Sequence, residues 1–167
     1  MQKILLSALL FVGVNSYAQK GSFGGSINLG ASIPQNKNLN AGLGGVLNFY
    51  YMATNTGSIQ LNYINVNNGI KNLSPYSVVR TNILSAGYQQ YFSHKKNWWV
   101  SGEAGFSFYK KLTTPAFAVG LGYTINTKRG GIDLGVKQFY IPKTGANNLF
   151  VLPSVGCKFI LGKRKNK

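Results

Sequence analysis

Apart from serines, threonines, tyrosines and cations, four side chains of this sequence can exchange a proton or attack an electrophile: His94, Glu103, Asp133 and Cys157. Acid–base catalysis needs such groups placed within reach of a partner and of a substrate. His94 stands in the turn Ser93-His94-Lys95-Lys96, surrounded by cations, which suits a solvated turn residue better than a base. No cysteine or carboxylate lies near it at metal-ligand spacing. Cys157 falls on an apolar strand face, where a thiol is inert. The residues therefore support no catalytic, cofactor-binding or metal-ligating assignment, and the chain reads as non-enzymatic.

The two carboxylates are more informative because of the segments that carry them. Around each, apolar residues alternate with small or polar ones, the period of two that marks a β-strand with unlike faces. Eight such segments follow one another, near 25–33, 41–51, 59–64, 83–89, 98–109, 117–125, 132–137 and 151–161. In the fifth, Trp98, Val100, Gly102, Ala104, Phe106 and Phe108 oppose Trp99, Ser101, Glu103, Gly105, Ser107 and Tyr109. In the sixth, Phe117, Val119, Leu121, Tyr123 and Ile125 oppose Ala118, Gly120, Gly122 and Thr124. A soluble sandwich would put Lys and Glu on its polar face, whereas here that face is mostly Gly, Ser, Thr and Asn, which fit a narrow lumen. The expected fold is all-β: an antiparallel up-and-down transmembrane barrel of about eight strands with a lumen filled by side chains. Aromatics gather near strand ends, at Phe49, Tyr50, Tyr51, Tyr91, Phe92, Trp98, Trp99, Phe108, Tyr109, Phe139 and Tyr140, as two interfacial girdles require.

Glu103 and Asp133 then face that lumen, where an unpaired charge is costly. If the last two strands pair so that facing residue numbers sum to about 291, Asp133 lies beside Lys158, with Lys137 one step of the pleat away. Glu103, opposite Gly87, has room to reach Lys137. The expectation is an internal ionic cluster of Glu103, Asp133, Lys137 and Lys158 that plugs the barrel.

The first eighteen residues stand apart. Lys3 precedes an apolar run from Ile4 to Val14, and Ser16-Tyr17-Ala18 ends on a small residue, the pattern of a cleavable signal peptide. The expected organisation is 1–18 signal peptide, 19–162 barrel and 163–167 basic periplasmic tail. The apolar run is shorter than the roughly 20 residues of a membrane helix. With one cysteine no internal disulfide forms, so burial and hydrogen bonding must hold the fold.

Charge is scarce but one-sided. Only 12% of residues are charged, about half the usual fraction, yet there are 18 Lys plus Arg against 2 acidic residues. Such excess in a cytosolic protein would suggest nucleic acid; export argues against it and favours anionic lipid. With a periplasmic N-terminus, the links 53–57, 93–97 and 126–130 fall inside and are short. The links 34–40, 66–77, 110–115 and 142–148 fall outside, the second being longest. Lys95, Lys96, Lys128, Arg129, Lys163, Arg164, Lys165 and Lys167 then form a periplasmic basic rim, and an even strand number puts both termini in the periplasm.

Together these features resemble the small eight-stranded bacterial outer-membrane barrels, the OmpX-like and OmpA-transmembrane-domain-like family. The final strand, ending Cys157-Lys158-Phe159-Ile160-Leu161, is similar to the aromatic C-terminal signal read by the barrel-assembly machinery. The chain departs from that pattern by continuing into Gly162-Lys163-Arg164-Lys165-Asn166-Lys167, too short for a peptidoglycan-binding domain. The resemblance implies an outer-membrane location. The function expected by elimination is structural or partner-binding, as a subunit or accessory of an envelope complex, with phospholipid and lipopolysaccharide phosphates as lipid partners. A lipid A-modifying barrel enzyme, a narrow channel and a soluble exported β-sandwich are the alternatives the residues leave.

Overall fold

The computed structural model describes residues 20–71, 77–92, 97–109, 112–127, 130–142 and 148–162. The signal segment, His94 and the whole expected basic rim (Lys95, Lys96, Lys128, Arg129, Lys163, Arg164, Lys165 and Lys167) lie outside the described residues. Eight strands follow one another: β1 (Phe23–Pro34), β2 (Leu39–Met52), β3 (Gly57–Ile70), β4 (Val78–Phe92), β5 (Trp98–Tyr109), β6 (Leu112–Thr127), β7 (Gly130–Tyr140) and β8 (Leu149–Gly162). Each pairs antiparallel with the next, and β8 pairs with β1, closing a barrel. Closure leaves no unpaired edge, the condition a sheet must meet to stand in hydrocarbon. Strands of 11 to 16 residues reach or exceed the 9 to 11 or so that a tilted transmembrane strand needs.

Alternation sets the facing throughout. Ile27, Leu29, Leu43, Leu47, Phe106, Val119, Leu121, Val155 and Leu161 are exposed on the outside, while Ser26, Asn48, Asn62, Ser85, Ser101 and Thr124 are buried inside. An apolar exterior around a polar interior is the reverse of a soluble protein, so the sandwich alternative fails on both topology and facing. Cys157 is a free thiol on the outer wall, beside Ile27 and Ile132. Leu121→Arg, which points a charge into the bilayer near mid-strand, is expected to cost about 2–4 kcal/mol, whereas Ser101→Ala, on the lumen face, should be nearly neutral. Chemical denaturation of the refolded barrel compares them; equal losses would reverse the assigned facing.

Four features differ from the sequence expectation. The ladder of β7 with β8 pairs Asp133 with Gly156 and Gly131 with Lys158, two residues from the expected register. The link closes with Ile141 N donating to Asn148 O, so pairing starts at Tyr140 and Leu149. A two-residue slip keeps every side chain on its face, which is why alternation alone misses it. The links expected at 66–77 and 110–115 also shrink, because β3 continues to Ile70 and β6 starts at Leu112, leaving 71–77 and 141–148 as the longest. Tyr50, Tyr91, Trp99 and Phe139 leave the girdle set, since each is buried while its neighbour Tyr51, Phe92, Trp98 or Tyr140 is exposed; adjacent strand residues cannot share a face. Finally, part of the lumen is apolar: Val46, Ile64, Val66, Ile83, Ala116, Ala118, Phe139, Ile141, Phe150 and Leu152 form one buried cluster.

Candidate functional site in the lumen

The barrel has a terminal rim, where β1 begins and β8 ends, and a loop rim at the opposite end. Between them the lumen is layered. Met52, Tyr50, Tyr91 and Trp99 cluster toward the terminal rim, polar and charged residues occupy the middle, and the apolar cluster fills the loop-rim half. In that cluster Phe139 and Phe150 stack with ring centroids 4.7 Å apart and planes 9° from parallel.

Glu103 projects from β5 opposite Gly87, and its stem lies across that glycine: a Cβ at position 87 would come within 2.7 Å of Glu103 Cγ. Ser85 Oγ donates to Glu103 Oε2 at 2.9 Å, and Lys137 Nζ donates to Oε1. Lys137 reaches across β6 over Gly120, where a Cβ would meet its Cγ at 3.0 Å. The pair is almost wholly buried, the side chains being 11% and 1% exposed. Small residues on the lumen face are thus not merely filler; they are the floor on which long side chains lie.

Asp133 and Lys158 do not complete a four-membered cluster. Asp133 accepts from Thr124 Oγ1, its direct partner across β6 and β7. Lys158 donates to Tyr91 Oη and sits 4.6 Å and 4.7 Å from the ring centroids of Tyr50 and Tyr91. A cation over two π faces is electrostatically satisfied without a carboxylate in contact, and Tyr50 fixes its own ring by donating to Phe159 O at 3.1 Å. Among the described residues Glu103 and Lys137 form the one ion pair. Tyr50 and Tyr91 are the lumen residues that sequence reasoning missed. Their signal was available in the strict parity of Tyr50 with Asn48 and of Tyr91 with Gln89.

The middle of the lumen holds a cavity of about 30 Å³, lined by Asn28, Asn48, Gln60, Trp99, Asp133 and Lys158 among others. That is room for one or two waters, with Asn28 Oδ1, Gln60 Oε1 and Trp99 Nε1 as partners, since no group among the described residues pairs with them. Each oxygen of Glu103 accepts from a buried neighbour, so the carboxylate is committed to the interior of the lumen. No group of His, Cys, Asp and Glu among the described residues is arranged to hold a metal ion.

No protein-family model matches the chain, and no curated protein sequence matches it. Solved structures do. The chain is similar to Ail, the attachment invasion locus protein of Yersinia pestis, with a TM-score of 0.61 at 13% identity over 85% of this chain and 99% of that one. Against Ail in complex with the heparin analogue sucrose octasulfate the TM-score is 0.58, again at 13% identity over 85% and 99% of the two chains. Against the outer membrane protein OprG of Pseudomonas aeruginosa it is 0.57, at 13% identity over 85% and 95%. The likeness is one of fold, that of small bacterial outer-membrane β-barrels.

Proposed function

We propose that this outer-membrane barrel is non-enzymatic and works through its rims, both termini being periplasmic, as a structural or partner-binding member of an envelope complex. One observation carries the reading: both carboxylate side chains of the sequence are engaged inside the lumen, Glu103 with Lys137 and Asp133 with Thr124. The rim cations therefore have no side-chain carboxylate of their own chain to pair with, and most of the excess of 18 Lys plus Arg over 2 acidic residues must be met from outside. Lipid phosphates meet part of it, at about 1 kcal/mol per cation near an anionic surface. An acidic partner docked at the periplasmic basic rim meets the rest, with charge governing encounter rate and salt dependence. Ail, of the same fold, has been solved with a polysulfated sugar, so a barrel of this shape can take a polyanion. The filled lumen speaks against transport, and the occupied carboxylate against hydrolysis.

The test is purification from native membrane in mild detergent, at native abundance. At low ionic strength a specific protein should co-purify, and it should be lost as salt shortens the Debye length below about 8 Å. Replacing Lys163, Arg164, Lys165 and Lys167 with Gln should weaken that complex and leave insertion intact. A barrel that purifies alone under these conditions has no such partner, and a lipid-packing role then replaces this reading.

A further inference from the structure

The outer wall is mostly apolar, with single polar residues such as Gln138 and Thr113, but along one seam polar side chains gather and bond to one another. On β3 the outward positions run Ile59, Leu61, Tyr63 and then Asn65 and Asn67; on β4, read from the same end, they run Tyr88, Ala86, Leu84 and then Asn82 and Arg80. Residues that pair with these strands or face the same way nearby, Leu43, Leu47, Phe106 and Phe108, are exposed apolar side chains. Toward the loop rim, β3 and β4 thus present a polar strip rising from an apolar wall. Its side chains form one directed chain of hydrogen bonds. Arg80 Nε donates to Asn67 Oδ1 at 3.0 Å, Asn67 Nδ2 to Asn65 Oδ1 at 2.7 Å, and Asn65 Nδ2 to Asn82 Oδ1 at 2.6 Å. Tyr63 Oη donates to the same Asn82 oxygen at 3.1 Å. Amide dipoles aligned head to tail polarise one another, so the chain holds the Arg80 guanidinium more firmly than a single bond would.

We propose that this seam is a binding site for the phosphate of a membrane lipid, with Arg80 as the anion-binding residue and Asn67, Asn65 and Asn82 as its positioning residues. Arg80 is exposed and bonded along the seam through Nε, which leaves the two terminal nitrogens of its guanidinium as a fork for a ligand. That fork fits two phosphate oxygens at once. An arginine on the lipid face costs little at the interface and much at mid-bilayer, and Arg80 lies near the start of β4, at the loop rim. Tyr63, with its ring in the wall and its hydroxyl in the chain, marks the boundary between the two zones. The ligand must match that division, anionic above and hydrocarbon below. A lipid carrying phosphate does so, whereas a soluble acidic protein does not. The site uses wall residues and none of the rim cations invoked for partner docking, so either proposal can fail alone.

The folded protein in nanodiscs, examined by native mass spectrometry, supplies the test. The probes are phosphatidylglycerol and the uncharged diacylglycerol with the same acyl chains. Wild type should retain phosphatidylglycerol preferentially. Arg80→Gln should reduce that retention on the order of tenfold, and Arg80→Lys, which keeps the charge but loses the fork, should restore only part of it. Asn67→Ala leaves the charge untouched and should still weaken binding several-fold, an effect that a purely electrostatic role of Arg80 does not predict. Heat-dependent gel mobility confirms that each variant is folded. Equal retention of both lipids by wild type, or equal retention of phosphatidylglycerol by wild type and Arg80→Gln, overturns the proposal. So does displacement of the lipid by soluble polyglutamate, which would make the ligand a carboxylate-bearing protein.

Discussion

Glu103→Ala is expected to lower the stability of the folded barrel by about 3–5 kcal/mol, the cost of leaving one member of a buried ion pair without its partner. The reason lies less in the attraction lost than in the ammonium left behind. Lys137 is buried, its stem is confined over Gly120, and Ser85 Oγ loses its acceptor in the same step. The double variant Glu103→Ala with Lys137→Met should recover most of the loss, because an apolar chain of similar length needs no partner. Urea titration of the refolded barrel in detergent micelles, followed by tryptophan fluorescence, gives both numbers. If the single variant is as stable as wild type, Lys137 has reached water, and the lumen is wetter than its burial implies.

Phe150→Ala should cost about 3–5 kcal/mol by leaving a cavity that stiff, fully paired strands cannot close. Phe150 and Phe139 are both fully buried and stacked, on facing positions of β8 and β7. A double-mutant cycle on the pair should return a coupling of about 0.5–1.5 kcal/mol, the contribution of ring geometry beyond buried area. The same variants examine the closed lumen: in planar bilayers wild type should give no conductance steps. Steps in wild type, or a Phe150→Ala cost near zero, would mean that water already occupies the loop-rim half, and the argument against transport would fall with it.

The strand count and the facing of the strands were legible because period two is a local signal repeated in eight segments, the fourth, around Leu84, being the least regular. A reach of Glu103 toward Lys137 was legible because Gly87 leaves room for the Glu103 side chain; the space over Gly120 that Lys137 uses was not. Three things were hidden for identifiable reasons. The β7–β8 register was hidden because a slip of two preserves the faces, and the link 141–148 decides it. The apolar plug was hidden because Val46, Ile64 and Ile83, on the inward parity, read as interruptions of a polar face when taken strand by strand; their meaning emerges when the strands are laid side by side. The seam was hidden because Asn65, Asn67 and Asn68 are turn formers, and three of them before a turn read as loop rather than as the end of a strand. The ladder to β4, from Asn65 with Asn82 to Gly69 with Val78, overrides that preference.

The seam where β8 meets β1 has a consequence for how the chain reaches this structure. Ser26 pairs with Lys158 and Ile33 with Val151, so the last ladder joins residues from opposite ends of the sequence, while every other ladder joins neighbours across a short link. Seven of the eight pairings can form as local hairpins, and the eighth requires closure of a loop that contains the whole barrel, the slow class of event in a folding reaction. Until it forms, β1 and the current last strand both present open rows of N–H and C=O groups, which pair with other chains in water and are barely tolerated in lipid. Nascent chain must therefore be shielded until β8 is delivered, and a chain stopped before Leu149 is expected to aggregate rather than insert.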